Sequence, residues 1–359
     1  MQDKKQLISQ IKNFQLKARV IALSREEKDN IDLLITKLIE TYSISSLNPL
    51  FPKNMLRLWK RLFGHEFNMV FKYSFRPLPK IVRVNRLKSN VGDFRKIAKK
   101  YSWKLKSVDV LSNVFEIKTN GDENFNETGE YLKGLFYFQQ LSSMLPVIAL
   151  RPKPGEKILD IGAAPGSKTT QIGELMKNKG EIVANDIDKE RLKILKKTVK
   201  RMGIRIVKFH LGKGEDLGEK YPENFDRVLV DAPCSSEGII RYKTHKLIEW
   251  NQPFIEKTVF TQKLLIESGF NALKPGGILI YSTCTYNSEE NEGVIDYLLQ
   301  RHSNAKVLIT KFKNIKTRPG LLKWEGTQYD KRVSKAVRIY PQDINSTGFF
   351  ICKITKVPK

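Results

Sequence analysis

The chain is short of the residues that would mark a secreted or membrane protein. Of its 359 residues only three are cysteines, Cys234, Cys284 and Cys352, and only four are histidines. An odd, sparse cysteine set does not build a disulfide framework and points to a reducing compartment. No close pair of Cys or His residues exists to start a structural zinc site, so no metal is expected. No uninterrupted apolar run approaches the ~18 residues of a membrane span. The opening MQDKKQLISQIKNF has no apolar signal-peptide centre. These absences predict a cytoplasmic chain without membrane contact. Acidic side chains are also scarce: 38 Asp and Glu stand against 64 Lys and Arg, a formal net charge of +26.

What is present is a core-forming composition, 40% hydrophobic and 10% aromatic, which excludes global disorder. Folding does not need so large a positive excess; a polyanionic partner does. The first 100 residues hold 22 Lys and Arg against 8 Asp and Glu. Basic stretches such as RPLPKIVRVNRLK (Arg76 to Lys88) and FRKIAKKYSWKLK (Phe94 to Lys106) interleave charge with apolar and aromatic residues, as folded nucleic-acid modules do. Phosphate contacts of this kind make affinity salt-sensitive.

Three regions follow from the pattern. Residues 1–75 read as basic helices, with LISQIKNFQLKARVIAL and NIDLLITKLIETY carrying apolar residues at three-and-four spacing. Residues 76–135 mix strand-like KIVRVNRL and VFEIKT with helix-like VGDFRKIAKKYSW and a polar loop, TNGDENFNETGE, which suggests a small sheet. From residue 136 to 359 strand-like runs alternate with helical ones: KILDIG, EIVAND, IRIVKF, RVLVDAP and GGILIYST, then KVLITKF and GFFICKIT. That alternation predicts an α/β fold with right-handed crossovers and a mainly parallel sheet, whose ligands bind at the carboxyl ends of the strands.

The stretch LDIGAAPGSKT, Leu159 to Thr169, comes close to a phosphate-binding loop: Gly162, four residues, then Ser167, Lys168 and Thr169. RVLVDAP, ending an apolar strand near Asp231, would even supply a magnesium-holding carboxylate. Against a nucleoside triphosphate stand Ser167, where the loop needs glycine, and Pro165, which removes an amide. A dinucleotide is a second candidate. A third is S-adenosylmethionine, which has no phosphates. It needs a tight glycine turn for backbone approach and a carboxylate at the end of the next strand for the ribose hydroxyls. Asp186, 26 residues after Asp160, is placed for that.

DAPCSSEG puts Cys234 just past one strand, and YSTCTY puts Cys284 just past the next. Adjacent parallel strands would bring both thiols to one rim. Cys352, inside the apolar run GFFICKI, reads as core. Taken together, DIGAAPGSKT, DAPCSSEG, YSTCTYNSEENEGVI, FYFQQLSSML and RIYPQDINSTGFF resemble the Nop/Sun family of RNA cytosine methyltransferases, over roughly residues 76–355 and in the same order. The resemblance implies a Rossmann-like class I methyltransferase sheet, a small RNA-recognition-motif-like α/β subdomain and an N-terminal helical region. It implies S-adenosylmethionine as cofactor and methyl transfer to carbon 5 of a cytosine in RNA.

By the same resemblance Cys284 is the nucleophile that attacks carbon 6, Cys234 assists release of the product, and Asp231 orients the base. Gly162, Ala163, Ala164, Pro165, Gly166, Ser167, Lys168, Asp186 and Arg191 line the cofactor pocket, with Asp231 at its edge. A reactive thiol needs a cationic neighbourhood, for which Lys168 and the sulfonium are the candidates. The target must be single-stranded or flipped out of its stack. Three positions depart from the family. Gly162 replaces its usual Cys or Ala, a change expected to be harmless. Ser236 replaces a Gly. Lys213 falls near the place of an acidic adenine contact, with Glu215 and Asp216 shifted along. The compact length favours transfer RNA over ribosomal RNA as substrate, and a monomer is compatible with everything in the sequence. A catalytically silent RNA-binding or ribosome-assembly protein on the same fold is the alternative.

Overall fold

A computed structural model of the chain describes residues 4–18, 24–41, 51–119 and 124–358. The expected helical residues 19–23 and 42 and the loop residues 120–123 lie outside that set. Among the described residues no helix is long and apolar enough to cross a membrane.

Among the described residues four helices come first: α1 (Lys4–Ala18), α2 (Arg25–Thr41), α3 (Lys53–Phe63) and α4 (Phe67–Tyr73). On α3, Met55, Trp59 and Phe63 recur every fourth residue and are buried. These helices do not enclose a core of their own. Leu7, Ile31, Met55, Trp59 and Phe71 pack in one cluster with Ile240, Leu247, Trp250, Tyr286 and Tyr340, from far along the chain.

The small module runs β1 (Lys80–Val84), α5 (Val91–Lys100), β2 (Lys104–Ser107), β3 (Val114–Lys118), α6 (Gly129–Leu132) and β4 (Phe136–Phe138). Its strands are antiparallel in the order β2-β3-β1-β4, the βαββαβ topology of ferredoxin-like and RNA-recognition folds. β4 lies past residue 135, so the module extends beyond the boundary read from the sequence. Strand alternation sends Val82, Val84, Phe115 and Ile117 to one face, under Phe94 and Ala98 of α5. Ile81 and Arg83 point to the other. Arg83, read above as part of a nucleic-acid-facing basic stretch, is 1% exposed. It pairs with the carboxylate of Glu174, and its Nε donates to Gln139 at 3.1 Å. A guanidinium so deep needs such a partner to offset lost hydration.

The remaining elements are α7 (Leu141–Leu150), β5 (Lys157–Ile161), α8 (Ser167–Leu175), β6 (Glu181–Asp186), α9 (Lys189–Met202), β7 (Val207–Leu211), α10 (Leu217–Lys220), β8 (Phe225–Asp231), α11 (Lys246–Glu249), α12 (Gln252–Ala272), β9 (Leu273–Thr283), α13 (Glu292–Arg301), β10 (Ala305–Leu308), β11 (Arg318–Pro319), β12 (Lys323–Trp324), β13 (Thr327–Gln328), β14 (Val337–Ile339), α14 (Pro341–Ile344) and β15 (Phe349–Lys356). The large sheet is ordered β11-β14-β15-β9-β8-β5-β6-β7, with β10 on β15. Its five strands from β9 to β7 are parallel, and β15 closes antiparallel on β9. This is the Rossmann-like sheet that the resemblance implied. Its strands are near-continuous apolar runs because helices cover both faces. Cys352, on β15, is fully buried.

Candidate active site

The sheet order places β5, β8 and β9 side by side, so the loops after them meet at one rim. A cleft of about 1060 Å³ opens there, bounded by the glycine turn, Asp186, Asp231 and both cysteines. Asp231 pairs with Ser282 across β8 and β9, which puts the following loops level. Cys234 Sγ and Cys284 Sγ are 3.3 Å apart.

The two thiols are not equivalent. The contact with Cys234 holds the Cys284 thiol below its ordinary value, and the contact with Ser236 Oγ, 3.8 Å from that sulfur, adds to the effect against the cost of burial. The same contact pushes Cys234 well above its ordinary value, with burial reinforcing it. Of the two thiols Cys284 is thus the one whose ionisation is eased. The sequence reading named Lys168 and the cofactor's sulfonium as candidates for this activation. Lys168 also lowers the Cys284 thiol, by a smaller amount than Cys234 does, and its ammonium donates to Asp231 Oδ2 at 2.6 Å. Ser282 Oγ donates to the other Asp231 oxygen at 2.8 Å. Asp231 is thus fixed from both sides, with a quarter of its side chain facing the cleft.

On the opposite wall, β5 ends in a turn that only glycine fits. Gly162 has φ +75°, and a Cβ there would lie 2.5 Å from the Asp231 carbonyl oxygen. The replacement of the family's Cys or Ala by glycine is therefore not neutral in this chain: it sets how closely β5 and β8 approach at the mouth. The turn's amides are spent internally. Ala163 N donates to Asn185 O, Gly166 N to Ala163 O, and Ala164 N to Asp186 Oδ2 at 3.2 Å. With Pro165 lacking an N–H as well, the turn itself has no amide left for a phosphate, which argues against the triphosphate reading. Asp186, 2% exposed, also accepts from Asp188 N at 3.0 Å and pairs with Arg191 at 3.4 Å. The Arg191 guanidinium bridges back to the Ala164 carbonyl at 2.7 Å, tying the ends of β5 and β6 together.

Residues 147–355 match the family described as 16S rRNA methyltransferase RsmB/F. The chain belongs to that family. It is 40% identical over 286 residues, 78% of its length, to the ribosomal RNA small subunit methyltransferase F of Klebsiella pneumoniae, and spans 58% of that protein. It is 40% identical over 285 residues to the tRNA (cytosine(49)-C(5))-methyltransferase of Pyrococcus abyssi, and spans 90% of that one. A methyltransferase homolog from Pyrococcus horikoshii has a solved structure that matches with a TM-score of 0.77 at 35% identity. The match covers 88% of this chain and 98% of the other.

Within the RsmB/F frame the structure adds residues that sequence reasoning left unassigned. Asp160 lines the cleft beneath the glycine turn and is fully buried. Thr169 Oγ1 donates to one of its oxygens at 2.7 Å; the other has no partner. Burial pushes its carboxyl up to about 7. Glu215 lines the cleft, whereas Lys213 is exposed, so the shifted acid, not the lysine, faces the pocket. Ser236, in the family's glycine position, has φ 63°, left-handed backbone that disfavours a side chain and explains why glycine is usual there. Tyr242 stands 48% exposed at the cleft wall. An aromatic between two basic residues gave no local signal of that placement.

Proposed function

We propose that the chain transfers a methyl group from S-adenosylmethionine to carbon 5 of a cytosine in RNA through a covalent adduct on Cys284. The observation that carries this reading is the pair of touching thiols facing a glycine turn across one cleft. The residues fit the cofactor. The orphaned buried oxygen of Asp160 calls for a cationic donor such as the amino-acid ammonium. Asp186 suits the ribose hydroxyls, Glu215 the adenine amine, and half-exposed Ile187 one face of the base. The cofactor supplies an electrophilic methyl on its sulfonium.

Carbon 5 of cytosine is a weak nucleophile. Addition of the Cys284 thiolate to carbon 6 forms an S–C bond and moves the ring's double-bond electrons toward carbon 5, which then takes the methyl. Asp231, held by Lys168 and Ser282, orients the base at its ring nitrogen and exocyclic amine as charge shifts onto the ring. A base then takes the carbon-5 proton, the electrons of that C–H bond re-form the ring's double bond as the S–C bond breaks, and Cys284 leaves as a thiolate. Cys234, in contact with that sulfur, assists this release.

Transfer RNA is the favoured substrate. The chain spans 90% of the tRNA-modifying relative but only 58% of the ribosomal one. Cys284→Ala should abolish methyl transfer to RNA while leaving calorimetric binding of S-adenosylmethionine intact; normal turnover by that variant would refute the covalent route. Cys234→Ala should accumulate a protein–RNA adduct on denaturing gels. No cofactor binding by the unaltered chain would favour a silent RNA-binding protein. Bisulfite sequencing of RNA from a strain lacking the gene would identify the substrate.

A further inference from the structure

The N-terminal helices lie outside the matched span 147–355, yet one of their side chains reaches both cysteine loops. Trp59 on α3 is 1% exposed. Its Nε1–H donates to one carboxylate oxygen of Glu237 at 3.1 Å, and the Trp250 Nε1–H donates to the other at 2.7 Å. Glu237 is itself 3% exposed, so water cannot replace these donors. It stands between Ser236, whose Oγ lies 3.8 Å from Cys284 Sγ, and Gly238, whose N–H donates to the Cys284 carbonyl at 2.8 Å. The same indole meets the ring of Tyr286 edge-on, with centroids 5.3 Å apart, and Tyr286 is two residues past Cys284. Further along the Cys234 loop, Arg241 donates to the carbonyls of Arg76 and Pro77, and Asp32 accepts from Thr244 Oγ1 and His245 N.

From this geometry we infer that Trp59 and Glu237 are positioning residues for the two thiols, and that the N-terminal helices are part of the active centre. The inference rests on Cys284 being the nucleophile. Ser236 holds an unfavourable backbone conformation that persists only where the surroundings enforce it, and the doubly anchored Glu237 is the next residue. Without the brace, residues 235–238 relax. The contacts that Cys234 Sγ and Ser236 Oγ make with Cys284 Sγ are then lost, and the Cys284 thiol becomes harder to ionise.

The test is iodoacetamide alkylation of the full chain across pH, with each cysteine resolved by peptide mass spectrometry, alongside steady-state kinetics. Trp59→Phe keeps most of the packing and loses only the N–H. It should slow alkylation of Cys284 near neutral pH by roughly three- to tenfold, the range one hydrogen bond supplies. The pH–rate curve should move to higher pH, and kcat should fall by a similar factor with KM unchanged. Glu237→Gln can accept only one indole N–H and should show a smaller shift in the same direction. A merely structural role would lower the melting temperature and leave the pH–rate curve in place. That outcome in both variants overturns the inference. Equal alkylation of Cys234 and Cys284 in the unaltered chain would instead sink the nucleophile assignment beneath it.

Discussion

Two sheets share this chain and use their surfaces in opposite ways. The large sheet buries both faces and leaves the ends of β5, β6, β8 and β9 open, where the glycine turn, Asp186, Asp231 and the cysteines gather. The four-stranded sheet has one face under α5. Its other face, where an RNA-recognition motif would stack bases on aromatics, lies against the methyltransferase domain. Ile81 and Val114 pack on Met144 of α7, and Arg83 is locked to Glu174 of α8. Topology alone therefore does not say which surface of a module is free. Here the small sheet is built as a buttress for α8, whose first turn carries Ser167 and Lys168.

The contrast breaks if the buttress proves dispensable. Arg83→Met leaves the Glu174 carboxylate buried without its guanidinium and should cost about 3–5 kcal/mol in denaturant unfolding. The double change Arg83→Met, Glu174→Leu should recover most of that loss, while cysteine chemistry per folded molecule stays normal. Full RNA turnover with unaltered stability in Arg83→Met would refute the buttress. On the other sheet, cofactor affinity should report Asp160. Its folded carboxyl titrates near 7, so below that pH it is protonated and a poor partner for an ammonium. Affinity for S-adenosylmethionine should fall by about tenfold for each pH unit below that value at the steepest, one proton per binding event. Asp160→Asn should flatten the profile. The smallest expected effect is at Ser236. Ser236→Gly removes left-handed strain and should add roughly 1 kcal/mol of stability, yet it deletes the Oγ beside Cys284 and should raise that thiol's apparent pKa.

Much of the catalytic half was legible because its signals are local. Apolar runs ending in DIG, AND, DAP and STC announce strands and the loops that follow them, and β8 and β9 are adjacent, as successive parallel strands usually are. The missing phosphate nest was readable from Ser167 and Pro165. What could not be read is what depends on docking. Arg83 looks like any other residue of a basic stretch until Glu174, 91 positions away, is beside it. The bond from Lys168 to Asp231 joins the first turn of α8 to the end of β8, a pairing that periodicity cannot align side chain by side chain. Nothing local marks Trp59 either; its N–H finds an acceptor 178 residues downstream.

That separation governs how the chain can be made. The first helices emerge from the ribosome without the residues that complete their core: Leu247, Trp250, Tyr286 and Tyr340 are translated much later. Elongation at about 5–20 residues per second leaves these helices exposed for ten seconds or more before Tyr340 emerges. Loss of the last third of the chain during synthesis would thus strand its beginning, and nascent-chain proteolysis should find α3 vulnerable until the final strands have cleared the exit tunnel.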